Sequence, residues 1–520
     1  MYRKLLAACL AIAVTTPVQA RWMVAESDHF VIYADDREDD IARFVDQLER
    51  FHNAMKHMTG RDLPMPSPSN RVTIYAVGND RDIRRLTGAS QNVAGFYVPR
   101  AGGSSAFVPD VRVSSRQTDF TMTVLLHEYA HHFLISSSRH ALPRWLGEGA
   151  AEFYASARFP KDGTVEIGRP AYHRAGELYF ADEVPLEALF EYDHVDRRAE
   201  SDRNDFYGRS WLLVHYLTLG GERPGQLAAY QQAVAGRKSP LDAAREVFGD
   251  LDDLRSELKS YLSQRRISMI TLSGETLAAG PISIRELSPG MADAMPHIIT
   301  SRSGVSREEA LELLPKIRDV AAEYPDDAAV LAALAEAEFD AGNDAEAVAA
   351  ADRALAIDPA EKKALVQKGY ALFRQAAEYD GEDREAAYRA AMAPFNALNK
   401  LENDHPLPLI YYYRRFAEAG AEPTELARHA LARASELAPF DMGLALNVGM
   451  MRARFGELAE ARYALEPLAA DPHNSGPARA ARALLGVLEG MEEGTPLDGM
   501  RAAMAIAGDS IEIEPASAED

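Results

Sequence analysis

Cysteine is nearly absent from this chain: among 520 residues only Cys9 is a cysteine. Beyond that position no disulfide can form, and no thiolate can act as nucleophile or metal ligand. Positive charge is in deficit too. The chain has 56 lysines and arginines against 79 aspartates and glutamates, a net charge of −23. That balance argues against nucleic acid or an anionic membrane as a main partner and for a soluble surface. Long apolar runs are missing as well. The clearest, Leu5 to Val14, is about half of the ~20 residues a bilayer-spanning helix needs, so no transmembrane segment is expected. What remains is the composition of a folded chain, 47% hydrophobic and 26% charged. Its length predicts roughly two or three domains.

The first twenty residues read as an export signal. Arg3 and Lys4 precede the apolar run, and Thr15 to Ala20 forms a small, polar cleavage region ending Val18-Gln19-Ala20. The expected cut follows Ala20, and the expected compartment is the periplasm or the exterior. Leu6-Ala7-Ala8-Cys9 has the look of a lipoprotein processing box, but only four apolar residues precede Cys9. That is too short a core for such a signal, so lipidation through Cys9 is not expected.

From Arg21 to about Ile270 short strands and helices mix. His29 to Tyr33 (HFVIY) and Arg71 to Val77 (RVTIYAV) are strand-like, and Asp40 to Met58 between them has helical periodicity. Gly95 to Pro109 reads as a hairpin turning at Gly102-Gly103. Helices are expected over Asp119–Leu134, Leu146–Ala157 and Tyr207–Leu219, the last stopped by Gly220-Gly221. Glu191 to Asp205 is charged and expected to be an exposed loop.

After a linker over 271–288 the character changes: alanine, leucine and charge dominate from Pro289. Pro325 and Pro359 lie 34 residues apart, and Pro406, Pro439 and Pro472 are spaced by 33. The 47-residue gap between Pro359 and Pro406 holds one period plus an insertion, for which Ala376 to Arg384 is the candidate. Within Ala328 to Pro359, Leu334, Ala335, Gly342, Ala347, Ala354 and Leu355 sit where closely crossing helices need small or packing residues. A constant period of this length predicts helical repeats over 289–494. The acidic segment 495–520 is expected to be frayed.

The chemistry is concentrated in Thr123 to Tyr154, TVLLHEYAHHFLISSSRHALPRWLGEGAAEFY. His127 and His131 are four residues apart on a predicted helix, so their imidazoles leave one face. Two imidazoles suit Zn²⁺. Glu128, next to the first histidine, can take a proton from a water held at such a metal. Glu148 lies 17 residues beyond His131 on a second helix and is a candidate third ligand, leaving the fourth position open as catalytic zinc requires. Glu152, one turn further, shares its face and can accept the free N–H of a ligating histidine. His132 points about 100° away from the ligand face and is expected to be structural.

HEYAH followed by WLGEGAAEFY resembles the gluzincin zinc metallopeptidases, above all the peptidase-MA-like group. It is also similar to the zinc aminopeptidase branch, whose second segment reads W-L-N-E-G; Gly147 stands here in place of that asparagine. The resemblance spans about Arg21 to Arg265 in layout and is specific over His127–Glu152 and Tyr207–Leu217. It implies an α+β catalytic domain over 21–270, followed by an all-α solenoid resembling tetratricopeptide repeats. It also implies zinc held by His127, His131 and Glu148, Glu128 as base, and hydrolysis of peptide bonds. The aminopeptidase branch has a tyrosine about sixty residues after the glutamate ligand; Tyr207 follows Glu148 by 59 residues, which implies an oxyanion donor. The alternative for Tyr207 is an aromatic packed at a helix start. His215 and Tyr216 are expected to pack. In such peptidases an edge strand binds extended substrate, and Ser105, Ala106 and Phe107 are the candidates here. The aminopeptidase Gly-Ala-Met-Glu-Asn motif is absent. The implied partners are a peptide or protein substrate and a protein bound by the repeats; the rival reading is a non-catalytic scaffold carrying an inactive or structural zinc module.

Overall fold

The computed structural model describes residues 21–61, 63–88, 95–111, 120–138, 140–191, 204–471 and 475–511. The expected signal, Cys9, most of the 191–205 loop and Pro472 lie outside them. Among the described residues no helix is long and apolar enough to cross a membrane.

Among the described residues, the N-terminal half is built on eight short strands: β1 (Met23–Glu26), β2 (Phe30–Ala34), β3 (Val72–Ala76), β4 (Phe96–Val98), β5 (Ser105–Val108), β6 (Val165–Ile167), β7 (Ile270–Leu272) and β8 (Ser283–Glu286). Six form one sheet in the order β4-β5-β3-β2-β1-β8, and β6 pairs with β7. Strands β2, β3 and β5 run parallel; β4, β1 and β8 are antiparallel to their neighbours. The described residues add ten helices: α1 (Glu38–Thr59), α2 (Asp80–Thr87), α3 (Phe120–Ser137), α4 (Arg144–Ala155), α5 (Ala175–Phe180), α6 (Leu186–Glu191), α7 (Phe206–Leu219), α8 (Gln226–Ala235), α9 (Pro240–Phe248) and α10 (Leu251–Leu262). The three helices expected around the site are present within three residues of their predicted ends.

The strands alternate between two apolar faces. Phe30, Ile32, Ala34, Val72, Ile74, Ala106 and Val108 enter one core with α1, α3, α4 and α7. Val24, Tyr75 and Phe107 point the other way. On that second face four aromatic rings stack across neighbouring strands. Their centroids are 5.4 Å apart for Tyr33–Tyr75, 5.3 Å for Tyr75–Phe107 and 4.5 Å for Phe96–Phe107. Such cross-strand pairs pin the register.

Thirteen further helices follow among the described residues: α11 (Pro289–Arg302), α12 (Arg307–Glu323), α13 (Ala328–Asp340), α14 (Asp344–Ile357), α15 (Lys362–Ala376), α16 (Gly381–Ala391), α17 (Ala393–Leu401), α18 (Pro406–Ala419), α19 (Glu425–Leu437), α20 (Met442–Arg454), α21 (Leu458–Ala469), α22 (Gly476–Leu488) and α23 (Gly499–Ile511). Successive helices pack on one another, α13 on α14, α18 on α19 and α20 on α21, as in an array of helical repeats. Ala335, Ala347, Ala351 and Ala354 are fully buried where α13 and α14 meet, so the small residues do allow close crossing. The additional residues after Pro359 form the extra helix α16.

Two expectations need correction. The segment 271–288 is no linker: β7 pairs with β6, and β8 closes the main sheet on β1. The residues after Gly494 are not frayed throughout, because α23 is helical and buries Ala502 against the preceding pair. The two halves are also not independent. Trp22, Val24, Tyr75 and Phe107 share one apolar cluster with Met291, Met295, Ile298, Leu331 and Leu334 of the first repeats. Lys363 Nζ lies 5.9 Å over the Tyr33 ring. Further along, Glu402 accepts from Ser69 N and Oγ at 2.9 Å each, and Ala101 N donates to Asp441 at 2.9 Å. The solenoid is therefore the second layer of the sheet's own core.

Candidate metal centre

Helix α3 is apolar on nearly every side and sits deep in the core, so its polar residues must be satisfied from within. His127 and His131 leave it one turn apart. Helix α4 crosses it after Pro143 and brings Glu148 between them. His127 Nε2 and His131 Nε2 are 3.1 Å apart, and each is 3.3 Å from Glu148 Oε2. Bonds of ~2.0–2.1 Å in a tetrahedron put neighbouring ligand atoms about 3.3 Å apart. The three atoms thus outline one face of a zinc tetrahedron, and these residues form the one cluster of three or more His, Cys, Asp or Glu side chains able to hold a metal among the described residues.

The electrostatics call for a cation. Glu148 is 0% exposed, and neither carboxylate oxygen receives a hydrogen bond. A buried carboxylate without donors is costly unless a positive charge faces it. Burial alone would raise its pKa, but the two imidazoles outweigh this and hold it well below the usual range. Burial alone would lower that of His127; Glu148 and Glu152 overcome it and push it up to about 10. A dication would satisfy the same demand with both imidazoles neutral.

Glu152 stands behind His127. Its Oε1 lies 3.2 Å from His127 Nδ1, which leaves Nε2 facing Glu148. It is itself held by His173 Nε2 at 2.5 Å and by Arg174 at 2.6 and 3.0 Å. His173 and Arg174 were not singled out from the sequence. They follow Glu152 at no diagnostic spacing, and only the turn Tyr172–Arg174 returns them to it.

Glu128 is half-buried beside His127. Its charge reaches the Tyr97 phenol, whose pKa is raised by burial first and by Glu128 in addition. Tyr97 belongs to β4, so Glu128 lies within electrostatic reach of that strand. Here the expected substrate strand is corrected. Ser105, Ala106 and Phe107 are buried and paired on both sides, to β3 and to β4. The hairpin has the predicted turn, but its second strand goes inward because it pairs in parallel with β3. The outer strand is Phe96–Val98.

Tyr207 opens α7. Its phenol is pushed up to about 12, by burial first and then by the charge of Glu148, so it lies within electrostatic reach of that carboxylate. The Arg174 guanidinium carbon stands 4.7 Å over its ring. His215 does pack: its Nε2 lies 2.8 Å from Gly168 O and its Nδ1 2.9 Å from Tyr261 Oη. Tyr216 bonds Glu222 and Glu257. His132 is likewise structural, 2.6 Å from Tyr97 Oη and 4.5 Å from the Phe440 ring of the solenoid. Asp205, expected in an exposed loop, is buried and paired with Arg209 at 2.6 Å.

No family model matches the chain, and no curated protein matches it. Similar solved structures include MamA 41-end from Desulfovibrio magneticus RS-1, at 18% identity, 34% of this chain, 90% of that one and a TM-score of 0.27. A tetratricopeptide repeat protein from Parabacteroides merdae is 12% identical over 55% of this chain and 91% of its own, TM-score 0.31. Yeast Tom70 is 12% identical over 70% and 69%, TM-score 0.27. Nothing functional follows from likenesses of this extent.

Proposed function

We propose that this chain is a zinc-dependent peptidase. The observation that carries the reading is the convergence of His127, His131 and Glu148 at tetrahedral ligand spacing around a buried carboxylate that no hydrogen bond satisfies. Zinc bound there would supply Lewis acidity toward the scissile carbonyl and its water. The chain's own residues do the rest. Glu128 takes the proton of the attacking water and hands it to the leaving amine. Tyr207 donates its hydroxyl toward the developing oxyanion. Glu152 keeps His127 in one tautomer. The outer edge of β4, beside α3, pairs with an extended peptide backbone.

A second reading is favoured by the helical repeats themselves: a scaffold that binds protein partners and keeps an inactive or structural metal module. The two separate in one experiment. The purified protein should carry about one zinc, lost in His131→Ala. Glu128→Gln should keep the zinc while hydrolysis of an unfolded protein falls by a factor on the order of 10² to 10⁴. Full zinc in His131→Ala refutes the site. Stoichiometric zinc with no hydrolysis of any peptide by the unaltered protein leaves the scaffold.

A further inference from the structure

Helix α7 presents a puzzle at its first turn. The residue before it, Asp205, makes no capping hydrogen bond, because its carboxylate is engaged by Val184 N at 2.7 Å and by Arg209. The free N–H groups of a helix start need an acceptor. One comes from another element: Glu177 Oε2, on α5, accepts from Gly208 N at 3.0 Å. The other oxygen of Glu177 is held by Arg174 Nη1 at 2.7 Å. The same guanidinium binds Glu152 Oε1 through Nε at 3.0 Å and Nη2 at 2.6 Å. Glu152 stands behind His127, and the guanidinium also covers the Tyr207 ring.

We propose that Arg174 is a positioning residue that couples the metal triad to the start of α7. A continuous path of polar contacts runs from His127 through Glu152, Arg174 and Glu177 to Gly208, next to Tyr207. Every link involves an ionised group in a largely enclosed setting, where charge-assisted bonds are short and directional. The arrangement needs arginine: three donors of one planar fork reach two carboxylates while the flat face meets an aromatic ring. Lysine has the charge but not the fork. Arg174, together with His173 on the other oxygen, holds Glu152 facing His127, and the same guanidinium fixes where Tyr207 stands. The metal side of this coupling rests on the zinc reading; the α7 side does not.

The test uses the full chain with Arg174→Gln, Arg174→Lys and Glu177→Gln. Zinc affinity is read by competition with a chromogenic chelator, and amide hydrogen exchange of the 205–212 segment is read in metal-free protein. Arg174→Gln is expected to weaken zinc by about tenfold or more, as loss of an outer-shell support does. It should also speed exchange at the first turn of α7 by about fivefold, the local opening expected when a helix loses its capping acceptor. Arg174→Lys recovers part of the zinc affinity and little of the protection. Glu177→Gln speeds exchange and leaves zinc affinity within about threefold of the unaltered protein. Should Arg174→Gln not fold, Arg174→Lys carries both arms. Unchanged zinc affinity or unchanged exchange in the Arg174 variants overturns the coupling. Failure of the unaltered protein to bind zinc refutes the peptidase reading instead, and the metal-free exchange arm still decides whether Arg174 holds α7.

Discussion

Two glycines flank Glu148, and the structure assigns them opposite consequences. A Cβ added at Gly149 would lie 2.4 Å from Ser210 O, 2.6 Å from Ser210 C and 2.9 Å from Val214 Cγ2, all on α7. The obstacle is mostly backbone, so α7 would have to retreat by about 1 Å to restore ordinary contact. Overpacking of a core costs ~1–3 kcal/mol, and a backbone obstacle belongs at the upper end. The better helix propensity of alanine returns about 1 kcal/mol, leaving Gly149→Ala destabilised by about 2 kcal/mol. At Gly147 the added Cβ meets nothing within 4 Å, so Gly147→Ala keeps the propensity gain, about 1 kcal/mol of stabilisation. Solenoid and sheet share a core, so the chain should melt as a large unit, in which 1 kcal/mol moves the midpoint by about 1 °C. Calorimetry should place the two variants about 3 °C apart, on opposite sides of the unaltered protein. Gly149→Ala should also loosen α7 around Tyr207. The reasoning fails if Gly149→Ala melts at or above the unaltered protein, or if Gly147→Ala falls as far as Gly149→Ala.

Two further outcomes follow from the shared core. A chain ending at Leu272 would lack β8 and uncover Trp22, Val24, Tyr75 and Phe107 together; such a contiguous apolar face leads to aggregation. Size-exclusion chromatography showing a soluble, zinc-loaded monomer of that fragment would refute the common core. Glu402, which ties α17 to Ser69, provides a pH signature: burial raises its pKa, but Lys362 and Ser69 outweigh that and hold it at about 2. A carboxyl depressed on folding contributes stability that is complete above about pH 4.5 and lost as the pH falls toward 2, here about 3 kcal/mol. Glu402→Gln should be less stable than the unaltered protein by about that amount at pH 7, and the gap in urea midpoints should narrow markedly by about pH 3; a gap independent of pH would remove the assignment.

Much of the site was legible because its information is local. The four-residue spacing of His127 and His131 and the turn between Glu148 and Glu152 are properties of single helices, which a linear pattern expresses directly. The proline period marked the repeats for the same reason. What could not be read lies between elements far apart in sequence. Phe30 to Ala34 (FVIYA) and Ile74 to Val77 (IYAV) are unbroken apolar runs, a sign of strands buried on both faces, yet nothing in them names the cover. Treating 271–288 as a linker hid the strand that continues the sheet toward it. His173 and Arg174 carry no motif, because their meaning arises only where Tyr172–Arg174 meets Glu152. The hairpin showed its turn but not which strand turns outward, since parallel pairing with β3 is decided some thirty residues upstream.

The sequence alone therefore determined the residue types around the triad, the helices that present them and the repeating character of the C-terminal half. These follow from backbone periodicity and side-chain chemistry, which act over a few residues. Only the tertiary structure decided that the repeats complete the sheet's core, that β4 is the outer strand and that Arg174 joins α4 to α7. Each of these depends on which distant surfaces exclude water against one another, and on which charges burial then leaves without any other partner.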